Sequence, residues 1–167
     1  MKTIVHFILL SFTLVLIGCG FHFTNKQAAL DSLPPLNIES QLPSIWQQRL
    51  YRFMKLKEIT NHPSSKTTLK IIDFEENRRP VSLNSRAKVA EYRLELSFVI
   101  ELLDEHNTAL MPAKKLSEQR IYRFNEQQVP GKQAEEDFLQ QSMIEDLFDQ
   151  MIRYVHTALI LNPQTPK

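Results

Sequence analysis

Basic side chains that could bind an anion are concentrated before the segment with the strongest β-strand pattern. Four of them lie in a polar connection between residues 75 and 88, and a fifth lies just before a long helical pattern. Arginine forks and helix N-termini both suit the oxygens of a phosphate group. These residues are therefore our candidates for binding a phosphate-bearing ligand, although solvent-exposed loop charge is the commoner explanation of such a cluster. The candidates are Arg78, Arg79, Arg86, Lys88 and Lys132.

Side chains that could form a catalytic or metal centre do not come together in the sequence. The 5 histidines are scattered, and the single cysteine offers no partner for a zinc site. The 3 glycines form no phosphate-binding loop, and no serine has a Gly-x-Ser-x-Gly context. Glu135, Glu136 and Asp137 start the last helix, where the helix dipole favours acids, so we do not interpret them as a metal site. The sequence predicts a protein that is not an enzyme and holds no metal.

The cysteine, Cys19, follows an N-terminal leader. Lys2 precedes an almost unbroken apolar run over residues 4–17. This run is shorter than the roughly 20 apolar residues that span a bilayer, so it predicts the core of a signal peptide rather than a transmembrane anchor. The ending Leu16-Ile17-Gly18-Cys19 resembles the lipobox of bacterial lipoproteins. The resemblance implies cleavage of residues 1–18 and attachment of S-diacylglycerol and N-acyl lipid to Cys19, with no other cofactor.

The residue after the cysteine and the charge of the remaining chain bear on location and partners. Lipoproteins retained in the inner membrane commonly carry Asp after the cysteine, so Gly20 implies the outer membrane, on its periplasmic side. Removal of residues 1–18 takes away Lys2 alone among the charged residues and leaves 19 basic and 19 acidic side chains. A neutral protein is not drawn to nucleic acid by bulk charge. We therefore expect no nucleic-acid partner.

Hydrophobic periodicity after the leader predicts six elements in the order β-α-β-β-β-α. Strands are expected at 36–40 and 67–74, over a stretch around 91–102, and within 116–124. Helices are expected from Pro43 to near Lys57 and from Pro130 to just before Asn162. The predicted fold class is α+β, with two amphipathic helices packed on one face of a four-stranded mixed β-sheet. The predicted organisation is signal peptide 1–18, lipidated tether 19–35, folded domain 36–161 and disordered tail 162–167.

The segment around 91–102 has the clearest pattern in the chain. Apolar residues alternate with polar ones such as Glu95 and Ser97, so one face of this strand should be buried and the other wetter. We expect Leu96→Asp or Phe98→Asp to unfold the domain, and the same change at Glu95 or Ser97 to be tolerated. Asp104 to Asn107 should form the turn into the next strand.

Several short segments together are similar to the LptE family of lipopolysaccharide-assembly lipoproteins. The Cys19-Gly-Phe-His22 opening resembles the start of the mature family members, and Val89 to Leu94 resembles their Ala-Glu-Tyr strand. Arg120 to Asn125 and the helix opening from Lys132 to Met143 fit as well, and the order of elements agrees. The loop at 82–88 and the turn at 104–107 depart from the family pattern because neither contains glycine.

The resemblance implies a subunit of the lipopolysaccharide transport machinery. Such a protein forms a one-to-one complex with the LptD β-barrel, plugs its lumen, assists its folding, and binds lipopolysaccharide during delivery to the outer leaflet. Lys132 matches the family motif and is the favoured lipopolysaccharide contact, together with Arg86 and Lys88, while Arg78 and Arg79 would lie at the rim. A free-standing outer-membrane lipoprotein that binds a small apolar or anionic ligand is the alternative, and an envelope hydrolase is a remote one.

Overall fold

The computed structural model describes residues 33–124 and 129–161, without the side chains of 129–132. The predicted signal peptide, Cys19, most of the predicted tether and the predicted tail lie outside these ranges. The described elements follow the predicted order β-α-β-β-β-α and confirm the α+β fold class. They are β1 (Asn37–Ser40), α1 (Ser44–Leu56), β2 (Thr68–Leu83), β3 (Val89–Leu103), β4 (Ala109–Arg123) and α2 (Val129–Leu161).

The strands form one mixed sheet in the order β1-β2-β3-β4. β1 runs parallel to β2, and the other two pairings are antiparallel. β1 pairs only with Thr68 to Ile71, at the start of β2, so β2, β3 and β4 continue beyond it as a three-stranded ribbon. The end of this ribbon, comprising residues 78–92 and 120–124, is called the tip below.

The alternation in β3 divides the sheet into an inner and an outer face, as predicted. The inner face is apolar, with side chains at most 2% exposed at Leu94, Leu96, Phe98, Ile100 and Leu102. Both helices pack on this face.

The centre of the core joins both helices to the sheet. The Phe148 ring of α2 lies 5.4 Å from the Phe53 ring of α1 and 6.2 Å from the Phe98 ring of β3, measured between centroids. Each fully buried side chain of this size stabilises the fold by about 1.5–3 kcal/mol through removal of apolar surface from water. These contacts place both helices on the same face of the sheet.

One residue of the outer face departs from the expected pattern. Ser97 is only 6% exposed, and its hydroxyl donates a hydrogen bond of 3.2 Å to the Glu75 carboxylate. The Lys115 ammonium contacts the same carboxylate at 2.7 Å. A carboxylate introduced at residue 97 would lie against Glu75, so from the structure we expect Ser97→Asp to destabilise the domain rather than to be tolerated.

β2 extends to Leu83, well past the predicted end near Phe74. The register with β3 shifts between Ile72 and Glu75, where Asp73 has a left-handed φ of 51°. A bulge of this kind inserts one residue and reverses which side chains face inward. Ile71 is therefore inward before the bulge and Arg78 inward after it, each opposite a buried residue of β3.

β4 begins at Ala109 rather than near Leu116. It pairs only with β3 and is an edge strand, and edge strands commonly carry charge and proline. The start of β4 therefore has no apolar alternation from which it could be predicted, because it contains Pro112, Lys114 and Lys115.

The hairpin turns at residues 84–88 and 104–108 have the same hydrogen-bonding pattern, and neither contains glycine. Asn84 Oδ1 accepts hydrogen bonds from the backbone N–H groups of residues 86 and 88, and Asp104 Oδ1 does so from 106 and 108. In both turns the fourth residue is left-handed, with φ of 58° at Ala87 and 60° at Asn107. Asparagine tolerates this conformation, whereas alanine is strained in it.

Candidate functional site

The turn at residues 84–88 presents two of the predicted site residues at the tip. Arg86 and Lys88 are exposed, and their backbone N–H groups donate to Asn84 Oδ1 at 2.9 and 3.1 Å. The side chain of Asn84 therefore fixes the backbone from which both cations project. The prediction that they lie in a connection before the long strand is confirmed.

Arg78 and Arg79 lie within β2 and not in a loop, contrary to the sequence-based expectation. Arg78 pairs with Leu94 and faces inward, while Arg79 pairs with Arg93 and faces outward. Because neighbouring residues of a strand point to opposite faces, these two arginines do not line one rim together. Arg79 has a 68% exposed side chain that lies 4.0 Å from the Glu95 carboxylate.

Arg78 is the centre of a polar cluster that joins the sheet to the start of α2. Its guanidinium donates to the Tyr122 hydroxyl from Nε at 3.1 Å and from Nη2 at 3.0 Å, and Nε lies 3.2 Å from the Glu136 carboxylate. Tyr122 in turn donates a hydrogen bond to Glu136. The guanidinium carbon lies 3.5 Å from the centroid of the Tyr92 ring, a cation–π contact. We call Arg78, Tyr92, Tyr122 and Glu136 the Arg78 cluster.

The surroundings of this cluster shift the titration of two of its members. Burial and the hydrogen bond to Glu136 raise the pKa of Tyr122 to about 12. Burial acts to lower the pKa of Arg78, but the hydrogen bond to Tyr122 and the charge of Glu136 outweigh it, so this pKa lies above its ordinary value. The cluster therefore holds a neutral tyrosine between a permanent cation and a carboxylate. Its Arg78 is already bound by the protein's own groups.

The start of α2 lies at the tip, as predicted. The backbone N–H of Phe124, five residues before the start of α2 at Val129, donates to the carbonyl oxygen of Ala90 at 2.8 Å. Glu136 contacts Arg78 and so brings the second and third turns of α2 over the same end of the sheet. Lys132 lies in the first turns of α2, and its side chain is outside the described residues. The tip thus brings the 84–88 turn and the N-terminal end of α2 to one end of the molecule.

Exposed apolar side chains at the tip were not predicted as site residues. Val81, Leu83 and Ile121 are 43%, 63% and 54% exposed, close in sequence to the basic residues of the tip. Val81 and Leu83 stand two residues apart in a stretch interpreted as a polar connection. Their spacing is the one feature of the sequence that could have indicated these residues, because it suggests that β2 continues past its predicted end. Together with Arg79 and Arg86 they give the tip both cationic and apolar surface.

The described residues contain neither a metal-binding cluster nor a helix suited to crossing a membrane. Within residues 33–124 and 129–161, no three His, Cys, Asp or Glu side chains lie close enough together to hold a metal ion. Neither helix of the described ranges combines the length and the apolar character that a membrane crossing requires.

Comparison with known proteins identifies a family and several proteins of the same fold. Residues 28–155 match the model of a family described as LptE: Lipopolysaccharide-assembly. No curated protein sequence matches the chain.

Solved structures of bacterial lipoproteins share the fold. Rare lipoprotein B from Shewanella oneidensis is 17% identical with a TM-score of 0.65, over 76% of this chain and 97% of that one. A lipoprotein B from Nitrosomonas europaea is 23% identical with a TM-score of 0.66, over 80% and 92% of the two chains. A minor lipoprotein from Acinetobacter baumannii is 17% identical with a TM-score of 0.59, over 74% and 90%.

Proposed function

Because this chain belongs to the LptE family, whose role is lipopolysaccharide assembly, we propose that it is an outer-membrane lipoprotein subunit of the lipopolysaccharide translocon. It binds one LptD β-barrel from within the lumen, stabilises that barrel, and contacts lipopolysaccharide during its delivery to the outer leaflet. The single observation that carries the proposal is the family match over residues 28–155. The family acts in assembly and not as an enzyme.

The surface of the tip supports lipopolysaccharide binding. Lipopolysaccharide presents phosphate groups beside acyl chains, and the tip presents Arg86 and Lys88 beside the exposed Val81 and Leu83. A charge-assisted contact to phosphate contributes about 1.5–3 kcal/mol where it is shielded from water. At exposed residues such as these the contribution is lower, since solvent screens the charges. Several contacts acting together are therefore needed, and Lys132 is the proposed third cation.

The outer face of the sheet supports a location inside a barrel. Glutamates and basic residues alternate on this face and pair with one another, so that little net charge remains. Barrel interiors are polar and wet, which suits a plug with such a surface better than a broad apolar one. The ion pairs of this face include Glu75–Lys115, Arg79–Glu95, Arg93–Glu95 and Arg123–Glu91.

Lipid attachment at Cys19 would hold the domain at the inner surface of the outer membrane. A cysteine that carries S-diacylglycerol and an N-acyl group anchors stably, whereas a single acyl chain binds only marginally. The predicted tether over residues 19–35 would then separate the anchor from the folded domain.

Lipopolysaccharide binding to the full-length protein in nonionic detergent tests the proposed role of the tip. The double variant Arg86→Glu and Lys132→Glu should bind at least about tenfold more weakly, because two attractive contacts become repulsive. The control Arg52→Glu and Lys55→Glu makes the same charge change on exposed residues of α1 and should bind almost as well as the parent. Unchanged affinity in a folded tip variant would show that these cations are ordinary solvated charges.

A further inference from the structure

A second surface that carries positive charge lies far from the tip, between β4 and the C-terminal half of α2. It is a groove of about 410 Å³ that we call the edge groove. Its lining includes Met111, Lys114 and Leu116 of β4 and Gln150, Arg153 and Tyr154 of α2. None of its lining residues is acidic.

The two cations of the edge groove differ from most basic residues of the described domain in lacking a carboxylate partner. Lys115 and Arg120, their neighbours on β4, are bound by Glu75 and by Glu118 with Asp146. Among residues 33–124 and 129–161, neither Lys114 nor Arg153 makes an ion pair. The Lys114 ammonium lies 4.7 Å from the centroid of the Tyr154 ring, and Arg153 is exposed. Two positive charges therefore face one groove with no anion between them.

The neutral polar groups of the groove are already bound, and they fix its walls. The Tyr154 hydroxyl donates to the carbonyl oxygen of Pro112 at 2.7 Å, and the Gln150 amide donates to Glu118. These bonds tie α2 to the edge strand on both sides of Arg153. The donors left for a ligand are those of the two cations, which suits an anion.

The floor of the groove is apolar. Leu116 is 4% exposed and Met111 is partly buried against the core. Cations beside an apolar floor suit an amphiphile whose anionic head meets hydrocarbon, since lysine and arginine bind phosphate oxygens. An acidic peptide strand would instead need free backbone groups along β4. There Pro112 has no N–H, and its carbonyl is taken by Tyr154.

We propose that the edge groove binds the phosphate group of a phospholipid, with Lys114 and Arg153 on the phosphate and Met111 and Leu116 on the adjoining hydrocarbon. The groove residues of β4 pair with Phe98 to Leu102 of β3, whereas the β4 residues of the tip pair with residues 91–94. The two sites therefore lie towards opposite ends of β4. The inference stands apart from lipopolysaccharide binding at the tip.

Calorimetric titration of the full-length protein in nonionic detergent with dihexanoyl phosphatidylglycerol, kept below its micelle concentration, tests this proposal. The parent should bind the lipid, and Lys114→Glu with Arg153→Glu should bind at least about tenfold more weakly. Lys114→Gln with Arg153→Gln should also lose affinity, so the test does not depend on how the charge reversal folds. Arg52→Glu with Lys55→Glu, the charge-matched control on α1, should stay within about twofold of the parent.

Three results would overturn the proposal. The first is no binding by the parent. The second is an equal loss of lipid affinity in the α1 control, which would mean that the overall charge of the protein, and not the edge groove, determines the affinity. The third is inorganic phosphate binding as tightly as the lipid, which would mean an anion site with no use for the apolar floor. Arg86→Glu in the same titration should leave lipid affinity unchanged, so failure at the edge groove and failure at the tip are distinguishable.

Discussion

The hydroxyl of Tyr122 connects Arg78 of the sheet to Glu136 of α2, and Tyr122→Phe removes that connection while keeping the ring. The ring is 4% exposed and lies 5.9 Å from Tyr92 between centroids, so the substitution opens little space in the core. We expect the variant to fold, with the start of α2 held less firmly to the tip.

The expected loss follows from the bonds that the hydroxyl makes. It accepts from two nitrogens of Arg78 at 3.1 and 3.0 Å and donates to Glu136. A hydrogen bond to a charged group contributes about 1.5–3 kcal/mol. The total is less than the sum, because the direct contact of 3.2 Å between Arg78 and Glu136 remains and the Arg78 side chain is 39% exposed to solvent. We therefore expect the free energy of unfolding to fall by about 2 kcal/mol.

Urea denaturation at neutral pH measures this loss, with Tyr154→Phe as the matched control. Tyr154 gives up one hydrogen bond to the neutral carbonyl of Pro112 at an exposed place, which should cost about 0.5–1 kcal/mol. A double-mutant cycle between Tyr122→Phe and Glu136→Gln should show a coupling above about 0.5 kcal/mol. If Tyr122→Phe costs no more than Tyr154→Phe, the cluster does not hold α2 to the sheet and the reasoning fails.

The remaining predictions concern alkaline pH, the turn, the core and the anchor. The pKa of Tyr122 is raised from 10.0 to about 12 in the folded protein. The stabilisation that its hydroxyl gives the folded state is therefore complete below about pH 10 and is lost as the pH rises towards about 12. The urea curves of the parent and of Tyr122→Phe should converge over that pH window. Ala87→Gly should raise the free energy of unfolding by up to about 1 kcal/mol, since glycine adopts the observed left-handed φ without strain. An unchanged urea midpoint would argue against a left-handed conformation at residue 87. Leu96→Asp should abolish the cooperative thermal transition seen by circular dichroism, because it buries an unpaired charge. The control Glu95→Asp should keep the transition. Equal effects of the two substitutions would mean that the inner and outer faces of β3 are assigned wrongly. Cys19→Ala should remove fatty-acid labelling in cells, and undiminished label would contradict the lipoprotein assignment.

The sequence predicted the elements whose apolar pattern is regular. β3 and both helices were placed correctly because their buried residues recur at the periods of a strand and of a helix. The extent of β2 was not predictable in this way, since the bulge at Asp73 shifts the alternation by one residue. The start of β4 could not be predicted, because an edge strand carries polar residues on both of its faces.

The candidate site was predicted in part for a similar reason. Arg86 and Lys88 belong to a turn whose form follows from the local residue Asn84. The place of Arg78 depends on Tyr122, 44 residues later, and on a helix packed over both. No local pattern reveals such a contact, so an arginine interpreted as ligand-binding proves to be bound within the fold.

The central claim is a stoichiometric complex with an LptD-type β-barrel, and isolation of the full-length protein from its native outer membrane in mild detergent tests it most directly. The measurement is the mass and subunit ratio of the purified species. We predict one large β-barrel protein for each copy of this chain, retained through size-exclusion chromatography. A monodisperse protein that elutes alone from the same membranes would contradict the claim.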